Sequence, residues 1–109
     1  SLILPLSMRQ IDQAKERSER ELVVLLLEKA RRDSYFNSTP QQLTFSGKQV
    51  IFNWPSETIY DLEFVAFAEA TVEVEASGRS LAQQLSASID GKRWTLDIEY
   101  ETSSWSHTD

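Results

Sequence analysis

The spacing of apolar residues divides the chain into a helical first part and a β-rich remainder. Over residues 8–33, opposite charges recur four positions apart, which favours a helix. Ser7 followed by Gln10 forms a capping-box pattern that predicts where this helix begins. Pro40 excludes its continuation into the following segment. We therefore predict a helix over 8–33, preceded by a short N-terminal segment, 1–7.

The predicted helix has two unlike halves. Residues 12–21, DQAKERSERE, offer almost no apolar contact, whereas residues 22–27, LVVLLL, are apolar on every side. The charged half either projects from the body or breaks near Ser18, which forms a second capping box with Glu21. The apolar half needs a second covering surface besides one sheet face, from the same chain or from another subunit.

Beyond the helix, the apolar residues alternate with a period of two, which is typical of strands. A two-residue turn that begins at Gly47 pairs Phe45 with Val50 and Leu43 with Phe52, and gives one continuous apolar face. The pattern therefore predicts a hairpin here.

The longest alternation runs over residues 61–76 and predicts one long strand. Because sixteen residues are many for a single strand, we expect a bend or bulge near residues 68–70. The alternation places Val65 and Phe67 on the polar, outward face. There they form either an interface patch or a surface that Trp105 or the Leu2–Leu6 segment covers.

The last predicted hairpin turns at Asp90-Gly91, a type I′ signal, and pairs Ala87 with Trp94. Its inward residues are expected to be core. Together the elements predict a single α+β domain over 1–109. We expect the helix to pack on one face of a mostly antiparallel, four- to five-stranded sheet over 41–101, as a two-layer sandwich with a tail over 102–109.

Linking the registers of the last two hairpins predicts rows of acidic side chains on the outer face. If Ser77-Gly78 is a two-residue turn, Glu73 lies opposite Ala82, which lies opposite Glu99. The result is an acidic trough with a floor of small side chains. It is either an ordinary solvated face or a face that binds a basic protein, and it is less suited to catalysis, which needs a concave pocket. The predicted protein-binding residues are Glu63, Val65, Phe67, Glu69, Glu73, Glu75, Asp97, Glu99 and Glu101.

Composition excludes several classes of function. The 109 residues include 17 acidic and 11 basic side chains, for a net charge of −6, no cysteine and one histidine. The lack of cysteine excludes thiol chemistry and disulfides and favours a reducing, cytoplasmic location. The scattered bases argue against nucleic-acid binding, and the Leu2–Leu6 run is too short to span a membrane. His107 is expected to be an inert tail residue, and we expect neither a metal nor another cofactor.

Three functions remain open at this stage. The first is non-catalytic protein binding through the acidic face, as in an inhibitor, an immunity protein, a chaperone or an adaptor with a basic partner. The second is a homo-oligomeric structural or assembly subunit, such as a homodimer, with contacts at 22–27 and Phe67. The third is a small-ligand binder or enzyme with a pocket lined by Trp54, Tyr60 and Trp94. No catalytic constellation is recognisable, so we expect that the protein is not an enzyme.

Overall fold

The computed structural model describes the backbone of residues 3–107 and the side chains of residues 10–107. Within that range, one long helix packs on a face of an antiparallel sheet with seven strands. The elements are α1 (Ile3–Asn37), β1 (Gln41–Gly47), β2 (Gln49–Phe52), β3 (Thr58–Asp61), β4 (Val65–Val74), β5 (Gln83–Ile89), β6 (Lys92–Ile98) and β7 (Ser103–His107). The predicted α+β class is confirmed, but the predicted four to five strands were too few.

Helix α1 is continuous for 35 residues, so it does not break at Ser18, and the part that precedes Glu19 projects from the body. A helix of this length spans about 52 Å, which accounts for the 55 Å long axis of the molecule. The backbone is already helical at Ile3, and the predicted start at Ser7 is therefore wrong.

The C-terminal end of α1 lies four residues beyond the predicted one, at Asn37. Ser38 adopts a left-handed conformation with φ of 48°. The N–H groups of Ser38 and Thr39 donate to the carbonyls of Tyr35 and Ser34, at 3.4 and 3.1 Å. This is a Schellman arrangement, which satisfies helix carbonyls that would otherwise lack a partner.

The sheet has the order β3-β2-β1-β4-β5-β6-β7. Both predicted hairpin registers are confirmed, since Phe45 lies opposite Val50 and Ala87 lies opposite Trp94. Asp90 and Gly91 have φ of 51° and 73°, as a type I′ turn requires. The local turn chemistry therefore sets these two pairings.

The predicted strand over 61–76 begins too early: Asp61 ends β3, and the long strand is β4, which lies on the other side of the β1–β2 hairpin from β3. β3 pairs with β2, and the chain then passes round the hairpin tip, where the N–H of Leu62 donates to the carbonyl of Lys48 at 2.7 Å. β4 begins at Val65 and pairs with β1. The alternation continues through this change of neighbour, so periodicity alone does not reveal it.

A bulge in β4 reverses which residues face the helix. Phe45 lies opposite Ala70, and Gly47 lies opposite Phe67, so β4 carries one extra residue between these pairs. The bend or bulge predicted near 68–70 is confirmed. Because one extra residue inverts the two-residue period, Val65 and Phe67 point inward before the bulge. Their predicted place on the outer face is wrong.

Residues 102–109 were predicted as a tail, but Ser103–His107 form the edge strand β7, paired with β6. Trp105 is half-buried against the core, with its ring 5.9 Å from that of Phe67. Trp105 therefore contacts Phe67 as that alternative proposed, but it does so on the inner face of the sheet rather than on the outer one. The other predicted cover, the Leu2–Leu6 segment, lies outside the residues whose side chains are described.

The core lies between the inner sheet face and the second half of α1. The helix contributes residues at the i, i+3, i+4, i+7 spacing of one face. These are Val23, Leu26, Leu27 and Ala30. The sheet contributes the inward residues of its strands, together with Leu62 from the β3–β4 crossing.

The turn between β4 and β5 packs directly against the end of α1. An added Cβ at Gly78 would lie 3.0 Å from the Arg31 carbonyl oxygen and 3.2 Å from the Tyr35 Cβ. Gly78 also has φ of +85°, where side chains are strained. Only glycine allows this close approach of turn and helix.

We expect Gly78→Ala to lower the free energy of unfolding by about 2 kcal/mol, through backbone strain and the clash with α1. Gly91→Ala is the matched control, because Gly91 has φ of +73° but no neighbour within 4 Å. That control should lose only about 1 kcal/mol in urea denaturation. Equal losses in the two variants would contradict a role for the packed turn.

Candidate functional site

Glu19 fixes α1 to the sheet at the point where the helix leaves it. Its Oε2 accepts the N–H of Glu63 at 2.7 Å, and its Oε1 accepts those of Phe64 and Val65 at 2.8 and 2.7 Å. These consecutive N–H groups belong to the β3–β4 crossing and to the start of β4. The pairing of β4 with β1 has not begun at this point, so β1 does not supply acceptors for them. The carboxylate is therefore a latch between helix and sheet.

A buried arginine fixes the other end of the packed half of α1. The Nη2 of Arg31 donates to Ser80 Oγ at 3.1 Å and to the carbonyls of Glu99 and Thr102, both at 3.0 Å. Burial lowers the pKa of Arg31 below its ordinary value. The contacts join the helix to the turns on both sides of β5 and β6. Latch and arginine together hold the orientation of the helix over the sheet.

Beyond the latch, a groove runs along the projecting part of α1. We call it the Ile11 groove. Its volume is about 420 Å³. It is lined by Ile11, Ala14, Lys15, Ser18, Glu19, Leu22, Glu63 and Phe64. Ile11 is 52% exposed and Leu22 is 40% exposed. The groove thus has large apolar residues at its ends and small ones, Ala14 and Ser18, in its middle.

The sheet covers only one side of the apolar stretch 22–27. Val23, Leu26 and Leu27 are buried, whereas Leu25 remains 59% exposed. The expectation that one sheet face cannot cover this stretch is thus met within the described residues.

A second groove lies between α1 and the last two strands. We call it the Trp94 groove. Its volume is about 540 Å³. It is lined by Arg17, Arg20, Glu21, Val24, Leu25, Trp94 and Trp105. It places aromatic rings and guanidinium groups side by side at the edge of the sheet.

Aromatic stacking and one helix carbonyl order this second groove. The guanidinium of Arg20 lies 4.1 Å from the centre of the Trp94 ring, which favours a cation–π interaction. The Nε1 of Trp105 donates to the Arg20 carbonyl at 2.9 Å. His107 stacks on Trp94 with ring centres 4.4 Å apart. His107 was predicted to be inert in a tail, but it lies in a strand.

The predicted acidic trough does not form. Its floor required a two-residue turn at Ser77-Gly78, but the Glu75 N–H donates to the Arg79 carbonyl and closes a three-residue loop. The extra loop residue puts Val74, rather than Glu75, opposite Ser80. Ser80 is consequently buried and faces inward.

The two walls of the predicted trough also separate. β4 and β5 pair directly only near Val65–Phe67, and the Nε2 of Gln83 reaches across the opening to the Thr71 carbonyl at 3.3 Å. The described β pairing therefore does not align Glu73 with Ala82 and Glu99, as the predicted rows required.

The acidic residues among the predicted site nevertheless remain at the surface, with Asp97 only partly exposed. Glu101 pairs with Arg79 at 3.3 Å, and Asp97 accepts hydrogen bonds from Gln84 and Ser106, at 2.7 and 3.0 Å. The other exposed carboxylates are Glu63, Glu69, Glu73, Glu75 and Glu99. Their binding to a basic partner stays a prediction.

The pocket predicted between Trp54, Tyr60 and Trp94 is wrong, because β2 and β3 lie at the opposite end of the sheet from β6. Tyr60 packs instead on Phe52, with ring centres 5.3 Å apart.

Across the described residues, no three His, Asp or Glu side chains are placed to hold a metal ion. Nor does the described part of α1 have the length of apolar sequence that a membrane crossing needs.

The chain matches no family model, no curated protein and no solved structure. The sequence reasoning missed Glu19 and Arg31 as organising residues, and it considered Trp105 only as a possible cover within a C-terminal tail. The alternation of Ser103, Trp105 and His107 was the one available signal for β7. The partners of Glu19 and Arg31 are distant backbone groups and, for Arg31, also the Ser80 hydroxyl, for which the sequence carries no signal.

Proposed function

We propose that this protein is a non-catalytic protein-binding domain and that it assembles with a second copy of itself through the projecting part of helix α1. The observation that carries the proposal is a stripe of exposed side chains along the Ile11 groove. The stripe consists of Ile11, Ala14, Ser18 and Leu22. An isolated helix is marginal in water, and most helical stability comes from packing an apolar face. The first half of α1 lacks such packing within the described side chains, so a partner surface would stabilise it.

The stripe is self-complementary, which favours a second copy as the occupant. In an antiparallel pair with two-fold symmetry, Ile11 of one helix packs against Leu22 of the other, and the reverse contact is made as well. Ala14 and Ser18 then meet at the crossing, where small side chains let two helices approach closely. The mixed charges of residues 12–21 keep like-charge repulsion low.

The proposal predicts concentration-dependent dimerisation that depends on this stripe. Leu22→Glu and Ile11→Glu should each weaken the dimer by about tenfold or more, because each buries a charge at the contact. Sedimentation equilibrium with light scattering measures the association. Leu81→Glu is the matched control, since Leu81 is 64% exposed and lies between β4 and β5. A clean monomer at high micromolar concentration, or an equal loss in the control, would overturn the proposal.

A further inference from the structure

The Trp94 groove borders the last strand of the sheet, since Trp105 of β7 is part of its lining. β7 is the last strand in the sheet order, so one side of its backbone has no strand neighbour among the described residues. Edge strands are commonly protected by lysine, proline or a bulge. β7 reads SSWSH, and its five-residue pairing with β6 is regular. Such an edge is suited to accept an additional strand.

The groove is also locally basic in an acidic protein. The two ion pairs between described side chains are Lys29–Asp33 and Arg79–Glu101, so no carboxylate within that part of the chain lies at ion-pair distance from Arg17 or Arg20. Glu21 is the one acidic side chain in the lining. Two guanidinium groups against one carboxylate attract an acidic group, in a chain whose net charge is −6.

The remaining walls are apolar and aromatic. Val24, Leu25, Trp94 and Trp105 form them, and Leu25 is 59% exposed. Trp105 lies in β7 itself, so a side chain from a strand added beside β7 enters the groove next to its ring. The groove and the edge therefore form one continuous surface.

The geometry points to an extended peptide of a partner protein that adds to β7 and carries an acidic and an apolar side chain two positions apart. Side chains at i and i+2 of a strand share a face and lie about 7 Å apart. Both would therefore enter the groove, the carboxylate at Arg17 and Arg20 and the apolar group between Leu25 and Trp105. Backbone hydrogen bonds to β7 supply affinity, and the groove supplies selectivity.

The test uses a labelled synthetic peptide, acetyl-TVDTFTVT-amide, and fluorescence anisotropy with the full chain. We expect saturable binding and about tenfold weaker binding when lysine replaces the aspartate of the peptide. Arg17→Gln should weaken binding of the aspartate peptide several-fold and leave the lysine peptide no weaker. Arg93→Gln is the matched control, because Arg93 is exposed and does not line this groove.

Backbone methylation of the peptide tests the strand addition itself. An added strand uses only one of its edges, so N-methylation of either the even or the odd residues should abolish binding while the other set is tolerated. Equal affinity for the aspartate and lysine peptides would overturn the charge selectivity. Equal tolerance of both methylated peptides, or no binding at millimolar peptide, would overturn the site.

Discussion

Glu19→Ala is expected to lower the free energy of unfolding by about 3 kcal/mol, although the residue lies on the polar half of the helix. The substitution removes a charged acceptor from three N–H groups, at 2.7–2.8 Å, and hydrogen bonds to charged groups are the stronger kind. The N–H of Glu63 is exposed and regains water, whereas those of Phe64 and Val65 are partly buried and lose more. Urea denaturation followed by circular dichroism measures the loss.

Two further variants separate the latch from a general charge effect. Glu19→Gln keeps an oxygen for Phe64 and Val65 but turns an N–H donor toward Glu63, so about half of the loss is expected. Glu21→Ala removes an exposed carboxylate from the same helix and should change stability by less than about 0.5 kcal/mol. A Glu19→Ala variant as stable as the Glu21→Ala control would show that water replaces the carboxylate.

Trp105→Ala is expected to cost about 3–4 kcal/mol and to release β7 from the sheet. The indole joins three parts of the molecule: it stacks near Phe67, meets Trp94 edge-on with ring centres 6.2 Å apart, and donates to Arg20 of α1. Hydrogen exchange should show faster exchange in β7 and at the facing edge of β6.

Trp105→Phe is the conservative control for this prediction. It keeps an aromatic ring against Phe67 but loses the hydrogen bond to the Arg20 carbonyl, so a loss of about 1 kcal/mol is expected. Unchanged exchange in β7 of the alanine variant would mean that the ladder with β6 holds the strand without its tryptophan.

The limits of prediction from sequence are clearest in β4. Alternation correctly indicated a long strand with an irregularity near residues 68–70, because period-two spacing is a local property. It could not distinguish a bend, which keeps the two faces, from a one-residue bulge, which inverts them, because that choice depends on the register with β1. Val65 and Phe67 were consequently assigned to the surface, although they are core residues.

The acidic trough failed for a related reason. Its register depended on the loop after β4, and one additional loop residue turned Ser80 inward beside Arg31. A glycine in a turn signal is compatible with a two-residue or a three-residue loop. The close contact between Gly78 and α1 accompanies the three-residue form, and that contact is tertiary.

The sequence by itself determined the class of fold and the hairpins at Gly47 and Asp90-Gly91. It also predicted the helix, but left open whether the charged half projects or breaks. Each of these follows from spacing, capping or turn chemistry within a few residues. Only the tertiary structure decided the seven-strand order, the latch at Glu19 and the strand that carries Trp105. The latch joins N–H groups of the β3–β4 crossing to a carboxylate 44 residues away, and the Trp105 indole donates to a helix carbonyl 85 residues away; no local pattern records such contacts.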